Sequence, residues 1–237
     1  RARRYADLGL FQRLDPPRWP PIRDLLRVGV PMGVMVFMEG SLFVATALVI
    51  GRLGTTPIAA HQIALNVASV AFMVPLGVAM ATTVRVGHAV GAGDAPAVRW
   101  SAAAGYSIAM VAQLVSATVM VVAGVWIASL YTNDAEVVAL AGTLLLFAAA
   151  FQLVDGVQAM SAGALRGLKD ARVPMLLAGI SYWGVGMPVG VWLSLGLGWG
   201  AQGMWTGLIF GLSVAAVLLG HRFVRLARNP PGIDVVA

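Results

Sequence analysis

The sequence predicts an all-α membrane protein, a polytopic bundle of six transmembrane helices, and three observations predict it. Hydrophobic residues make up 59% of the chain and charged residues only 11%, whereas soluble domains carry about 25% charged residues. Six apolar stretches each reach the roughly 20 residues that a helix needs to cross a hydrocarbon layer about 30 Å thick. Lys and Arg gather at alternate ends of those stretches, the pattern that sets orientation in a bilayer. A soluble fold of 237 residues has room for a core of this size but cannot hide apolar runs this long, and the mean hydropathy of +0.84 agrees.

The first stretch, residues 26–50, follows Arg23 and Arg27 and ends ahead of Gly54-Thr55-Thr56-Pro57. The second, 58–84, ends ahead of Arg85 and the Gly91-Ala92-Gly93-Asp94 turn. The third, 101–130, runs to Thr132-Asn133-Asp134, and the fourth, 137–164, to Arg166 and Lys169-Asp170. The fifth, 173–195, meets Gly196-Leu197-Gly198, and the sixth, 201–221, stops at Arg222. Gly, Pro, Asn and Asp break periodic structure, so each connection reads as a turn. Helices rather than strands follow from length, since barrel strands run to about 10 alternating residues. Gly186 and Gly190 in the fifth stretch, and Gly203, Gly207 and Gly211 in the sixth, recur every fourth residue and predict close helix packing.

Of the 16 Lys and Arg residues, all but Arg52 fall at one set of ends. That asymmetry predicts an even number of spans with both termini cytoplasmic, hence a multi-pass membrane protein. Trp126, Tyr131 and Trp199 fall at the opposite ends, as interfacial aromatics should. Residues 1–25 read as a cytosolic loop, 26–225 as the membrane unit and 226–237 as a cytosolic tail. The start, RARRYADLGLFQ, lacks the short apolar core of a signal peptide and looks like a loop within a longer protein.

The net charge of +6 does not imply nucleic acid, because the cations cap apolar stretches and form no separate basic face. There is no Cys, and His61, His88 and His221 are scattered, so neither a thiolate site nor a His-Glu-x-x-His metal site is expected. No nucleophile elbow, Walker loop or dinucleotide fingerprint occurs. The chain is therefore read as no enzyme and as needing no cofactor.

Only two acidic residues lie deep in the apolar spans, Glu39 in the first and Asp155 in the fourth. A carboxylate at a helix centre costs about 2.5–3.5 kcal/mol on insertion scales, so such residues normally face the bundle interior or a wet cavity. Glu39 stands 12 residues beyond Arg27 and Asp155 stands 11 before Arg166. At 1.5 Å per residue both lie roughly 16–18 Å from the same end, near the midplane where secondary transporters place their sites. Both acids are candidates for one ion or substrate site; the competing reading is two hydrogen-bonded structural acids. Gln152 and Gln158, three residues to either side of Asp155, and Phe151 are candidate cavity-lining residues. Gln62 and Asn66, on a polar stripe with Ser69, are candidates too, with interhelical packing as the alternative. Met35, between Met32 and Met38, is a candidate because Met adapts to varied ligands.

Gly54-Thr55-Thr56-Pro57-Ile58-Ala59-Ala60-His61-Gln62-Ile63-Ala64, Val84-Arg85-Val86-Gly87 and Gly163-Ala164-Leu165-Arg166-Gly167-Leu168-Lys169-Asp170 resemble the multidrug and toxic compound extrusion (MATE) transporters of the NorM type. The resemblance runs from about residue 20 to 225, with the motifs in order. It implies the C-terminal lobe, helices seven to twelve, of a twelve-helix, two-lobed antiporter. Such a protein exports small organic cations in exchange for Na⁺ or H⁺. By the same resemblance Glu39 matches the family's seventh-helix acid and Asp155 its tenth-helix acid. The implied partners are the lipid bilayer, the cationic substrate and an N-terminal lobe. Two alternatives stay open: a lipid-linked oligosaccharide flippase of the same superfamily, and a non-transporting membrane subunit. A flippase should line its cavity with Arg or Lys for pyrophosphate, and the sequence places no basic residue deep in a span.

Overall fold

The computed structural model describes residues 19–230; the expectations for 1–18 and for 231–237 lie outside the described residues. Six helices cross the bundle: α1 (Trp19–Gly51), α2 (Thr55–Gly91), α3 (Ala95–Ser129), α4 (Ala135–Gly167), α5 (Arg172–Gly196) and α6 (Gly200–Arg228). No strand occurs among the described residues. Each helix covers one of the six expected stretches, α3 stopping one residue short of the 130 expected.

The helix ends differ from the apolar boundaries in a patterned way. At the arginine-rich ends α1 starts at Trp19 rather than 26, α2 runs to Gly91 rather than 84, and α6 runs to Arg228 rather than 221. At the opposite ends the agreement is within a few residues. Apolar length marks where lipid ends, but backbone hydrogen bonding continues into water wherever helix-compatible residues follow. The last residues of the expected 1–25 loop are therefore the first turns of α1.

The turns carry ordinary stop and start chemistry. Asp94 accepts from the Ala97 amide at 2.9 Å to cap α3, and Asp134 accepts from the Glu136 and Val137 amides to cap α4. Both satisfy amides that a helix start leaves unpaired. Gly54, ahead of α2, sits at φ 125°, a region that side chains with a Cβ rarely enter.

The centre of the bundle is α4, which packs against α2, α3 and α6. Its contact with α2 depends on Gly163 and Gly167: a Cβ on Gly163 would lie 2.8 Å from the Ala79 carbonyl, and one on Gly167 would lie 2.7 Å from Val86 Cβ. At the same place Thr83 Oγ1 donates to the Gly163 carbonyl at 2.8 Å. The glycines expected to pack closely do so, and the structure shows that those of α5 and α6 meet each other. A Cβ on Gly207 would collide with the backbone of Gly190, and one on Gly211 would lie 2.7 Å from Gly186 Cα. Small residues let the two backbones touch, which is how helices associate where lipid removes the hydrophobic drive.

Helix α5 departs from simple α geometry. It is α-helical over Arg172–Gly179, π-helical over Ile180–Gly186, α-helical again over Met187–Val191 and π-helical over Trp192–Gly196. Wide π turns are uncommon and concentrate at functional sites. This one presents Tyr182, which is fully buried, toward α4.

The outer surface is apolar. Phe37 is 74% exposed, Leu48 69% and Val122 81%, a density of exposed apolar side chains that lipid or another protein surface must cover. Helix α1 is the least buried of the six and α6 the most. Trp126, Tyr131 and Trp199 are exposed, and Tyr131 donates to Asn66 Oδ1 at 2.8 Å. At the other end Arg222 Nε donates to Asp170 Oδ2, joining α6 to the α4–α5 turn.

Candidate functional site

A cavity of about 330 Å³ opens between α1, α2, α4 and α5. Met32, Met35, Glu39 and Phe43 line it from α1, at a helical spacing of three to four residues that puts them on one face. Phe72 and Leu76 face it from α2, Gln158 and Arg166 from α4, and Pro174 from α5. The walls are thus methionine, aromatic and aliphatic, with one carboxylate, one amide and one guanidinium.

Asp155 lies one turn N-terminal to Gln158 and is 4% exposed. Its Oδ1 has no hydrogen-bond partner. A carboxylate oxygen that is both dry and unpartnered is costly in any protein interior, and buried charges are normally paired or hold a cation. Tyr182 of α5 is buried against the same stretch of α4, with its hydroxyl at Gln158. The hydroxyl accepts from Gln158 Nε2 at 2.6 Å. Of the two acids chosen on depth alone, Glu39 lines the cavity, whereas Asp155 is buried one turn from Gln158 and does not line it.

The remaining sequence candidates divide. Met35 and Gln158 line the cavity. Phe151 does not: it is 3% exposed and stacks edge-on against Phe43 and Trp205, with centroids 6.0 and 5.8 Å away. Its place is the apolar core behind Phe43. Gln152 turns toward α3, where its Oε1 accepts from Ser116 and its carbonyl accepts from Gln113 Nε2 at 2.7 Å. Gln152 and Gln158 each flank Asp155 by three residues, but six residues separate them by about 120° around a helix. A shared face with Asp155 does not give them a shared face with each other. Gln62 and Asn66 are exposed and border a shallow pocket with Ser69 and Tyr131, apart from the Glu39 cavity.

Two residues escape a reading by depth. Arg166, grouped with the cations of the helix ends, lines the cavity beside Glu39. Its Nε donates to the Ala162 carbonyl at 3.2 Å, and helical side chains slant toward the helix N-terminus, here toward the membrane interior. This corrects the expectation that no basic group reaches inward: backbone depth underestimates the reach of a long side chain. His61, read as lying near a helix end, is fully buried and meets Trp205 edge-on at 5.9 Å. Neither ring nitrogen has a protein partner. No group of three or more His, Cys, Asp or Glu side chains suited to a metal ion occurs among the described residues. A cation at Glu39 and Asp155 would need oxygen ligands from neutral groups as well.

Known proteins fit this arrangement. The MatE family model matches residues 31–192. A protein of Xanthomonas campestris pv. campestris named probable multidrug resistance protein NorM is 60% identical over 97% of this chain and 50% of its own length. A Xylella fastidiosa protein of the same name is 57% identical over 94% of this chain and 48% of its own. The chain thus spans about half the length of the curated relatives it matches. Among solved structures, the Vibrio cholerae MATE transporter VcmN in its bent form superposes with a TM-score of 0.84 at 17% identity, covering 97% of this chain and 52% of that one. The eukaryotic MATE transporter AtDTX14 gives 0.80 at 22% identity, over 90% and 49%. On the family match and on the common fold, six helices making one lobe of a twelve-helix, two-lobed architecture, the chain belongs to the MatE family.

Proposed function

We propose that this chain is the C-terminal lobe of a secondary active antiporter that exports lipophilic organic cations in exchange for Na⁺ or H⁺. The observation that carries the reading is Asp155, buried with an unpartnered carboxylate oxygen one turn from Gln158, which lines the Glu39 cavity. Neighbouring carboxylates disfavour having both ionised in a poorly solvated site. A proton, a Na⁺ ion or a cationic drug relieves that charge, and the three compete for the same two residues. The Met, Phe and Leu walls of the Glu39 cavity suit the apolar body of an organic cation. Exchange becomes transport when each ligand binds the inward- and outward-facing states with different affinity.

In this reading the exposed apolar face of α1 meets lipid and an N-terminal lobe, and the cavity is completed between the two lobes. The arginine-rich ends face the cytoplasm of a bacterial inner membrane, following the charge asymmetry of the sequence. The names of the NorM relatives support multidrug efflux over flipping of a lipid-linked oligosaccharide, although Arg166 removes the charge argument against the latter.

The test is ethidium efflux from cells expressing the full two-lobed transporter, wild type against Glu39→Gln and Asp155→Asn, with and without Na⁺ and with a protonophore. Wild-type efflux that both variants lose supports the shared carboxylate site, and the ion dependence names the coupling cation. Efflux that survives Asp155→Asn at the wild-type rate refutes the role given to that residue. Normal insertion without any efflux would move the flippase and the non-transporting subunit ahead.

A further inference from the structure

Glu39 and Arg166 are the two charged residues that line the cavity; its other lining residues are apolar apart from Gln158. The two face one cavity yet form no ion pair, and the one ion pair among the described residues is Arg222 with Asp170. The guanidinium is instead held back by its own helix, through the Nε bond to the Ala162 carbonyl. Both side chains therefore line the same cavity without meeting. The mouth adjoins a second groove that shares Met32 and Ala171 with it and is lined by Arg27, Lys169 and Arg172. Asp170, the acid in that groove, is occupied by Arg222.

We propose that Arg166 is a tethered counter-charge to Glu39, a built-in competitor that every arriving cation must overcome at that carboxylate. The proposal rests on the reading of Glu39 as a cation-binding residue and adds a specificity determinant to it. With no cation bound, the guanidinium offsets the Glu39 carboxylate across the cavity, which lowers the cost of holding that charge out of water. When a drug or ion occupies Glu39, the same guanidinium repels it. Affinity for both exchanged cations is thereby held down in parallel, and a transporter needs that in order to release what it binds. Arg suits the role because it stays charged at every physiological pH and is more weakly hydrated than an ammonium group. Arg166 is a positioning residue for the cation and touches no reacting atom.

The experiment is calorimetric binding of tetraphenylphosphonium to the purified full two-lobed transporter, at low ionic strength and without Na⁺. Removing a unit charge several ångströms from the bound cation, at an effective dielectric constant near 20, should tighten binding of Arg166→Gln by about tenfold or more. Arg166→Lys, which keeps the charge, should stay within about twofold of wild type on the same argument. In a Glu39→Gln background binding should be lost whether or not Arg166 is replaced, because the carboxylate that holds the cation is gone. A merely structural arginine predicts the opposite sign, weaker binding after removal. Weaker or unchanged binding in Arg166→Gln, with Glu39→Gln still abolishing binding, overturns the tether and leaves the carboxylate site standing. Wild-type binding in Glu39→Gln overturns the site itself. Should Arg166→Gln not insert, Arg166→Met keeps the aliphatic stem and must show the same tightening.

Discussion

Gln158 on α4 donates a 2.6 Å hydrogen bond from Nε2 to the hydroxyl of Tyr182 on α5, within the π-helical stretch and one turn from Asp155. Both side chains are buried, so neither has water to fall back on. The bond ties the widened turn of α5 to the helix that carries the buried acid. It fixes which way the Gln158 amide faces in the cavity.

Tyr182→Phe should therefore destabilise the protein by about 1–3 kcal/mol, the cost of leaving a buried amide donor unpaired. The double variant Tyr182→Phe with Gln158→Leu should recover part of that loss, since both polar partners are gone. Thermal melting in detergent reads the comparison. A double variant no more stable than Tyr182→Phe alone would mean that the bond is not what holds the contact.

The α5–α6 contact offers a sharper packing test. Gly207→Ala places a methyl group against the Gly190 backbone, whereas Gly77 has nothing within 4 Å of where its Cβ would stand. Gly207→Ala should cost about 1–3 kcal/mol through overpacking, and Gly77→Ala should be neutral or slightly stabilising. Melting temperatures of the two variants decide it, and equal values would show that the helices simply move apart.

Gln152 should separate structure from binding. It is fully buried, and its amide oxygen and nitrogen meet Ser116 and Met120 on α3. Gln152→Leu should lower stability by about 1 kcal/mol, the typical worth of a lost hydrogen bond. Tetraphenylphosphonium affinity should not change. Gln158→Leu should change that affinity, because Gln158 lines the cavity. Altered affinity in Gln152→Leu would place it in the site after all.

The number of spans, their order and the two deep acids were legible in the sequence because lipid imposes them. A helix must be apolar for the thickness of the hydrocarbon, whatever it packs against, and a carboxylate at mid-depth stands out against that background. Glu39 and Asp155 needed only counting from Arg27 and Arg166. The close-packed glycines of α5 and α6 were legible for a similar reason, since a repeat of four marks one helix face before any partner is known.

What only the tertiary structure decided is rotation and reach. Gln152 and Gln158 look equivalent around Asp155, yet α3 claims one and the cavity claims the other, because the azimuth of α4 is set by its contacts with α2 and α6. Phe151 fell to the core through Phe43 and Trp205, partners distant in sequence. Arg166 was placed by its backbone at a helix end, while its side chain folds back beside Glu39. The π turns of α5 leave no signature in composition. Apolar length is a one-dimensional property that each helix satisfies alone, whereas the identity of a neighbour is settled only when all six helices are packed.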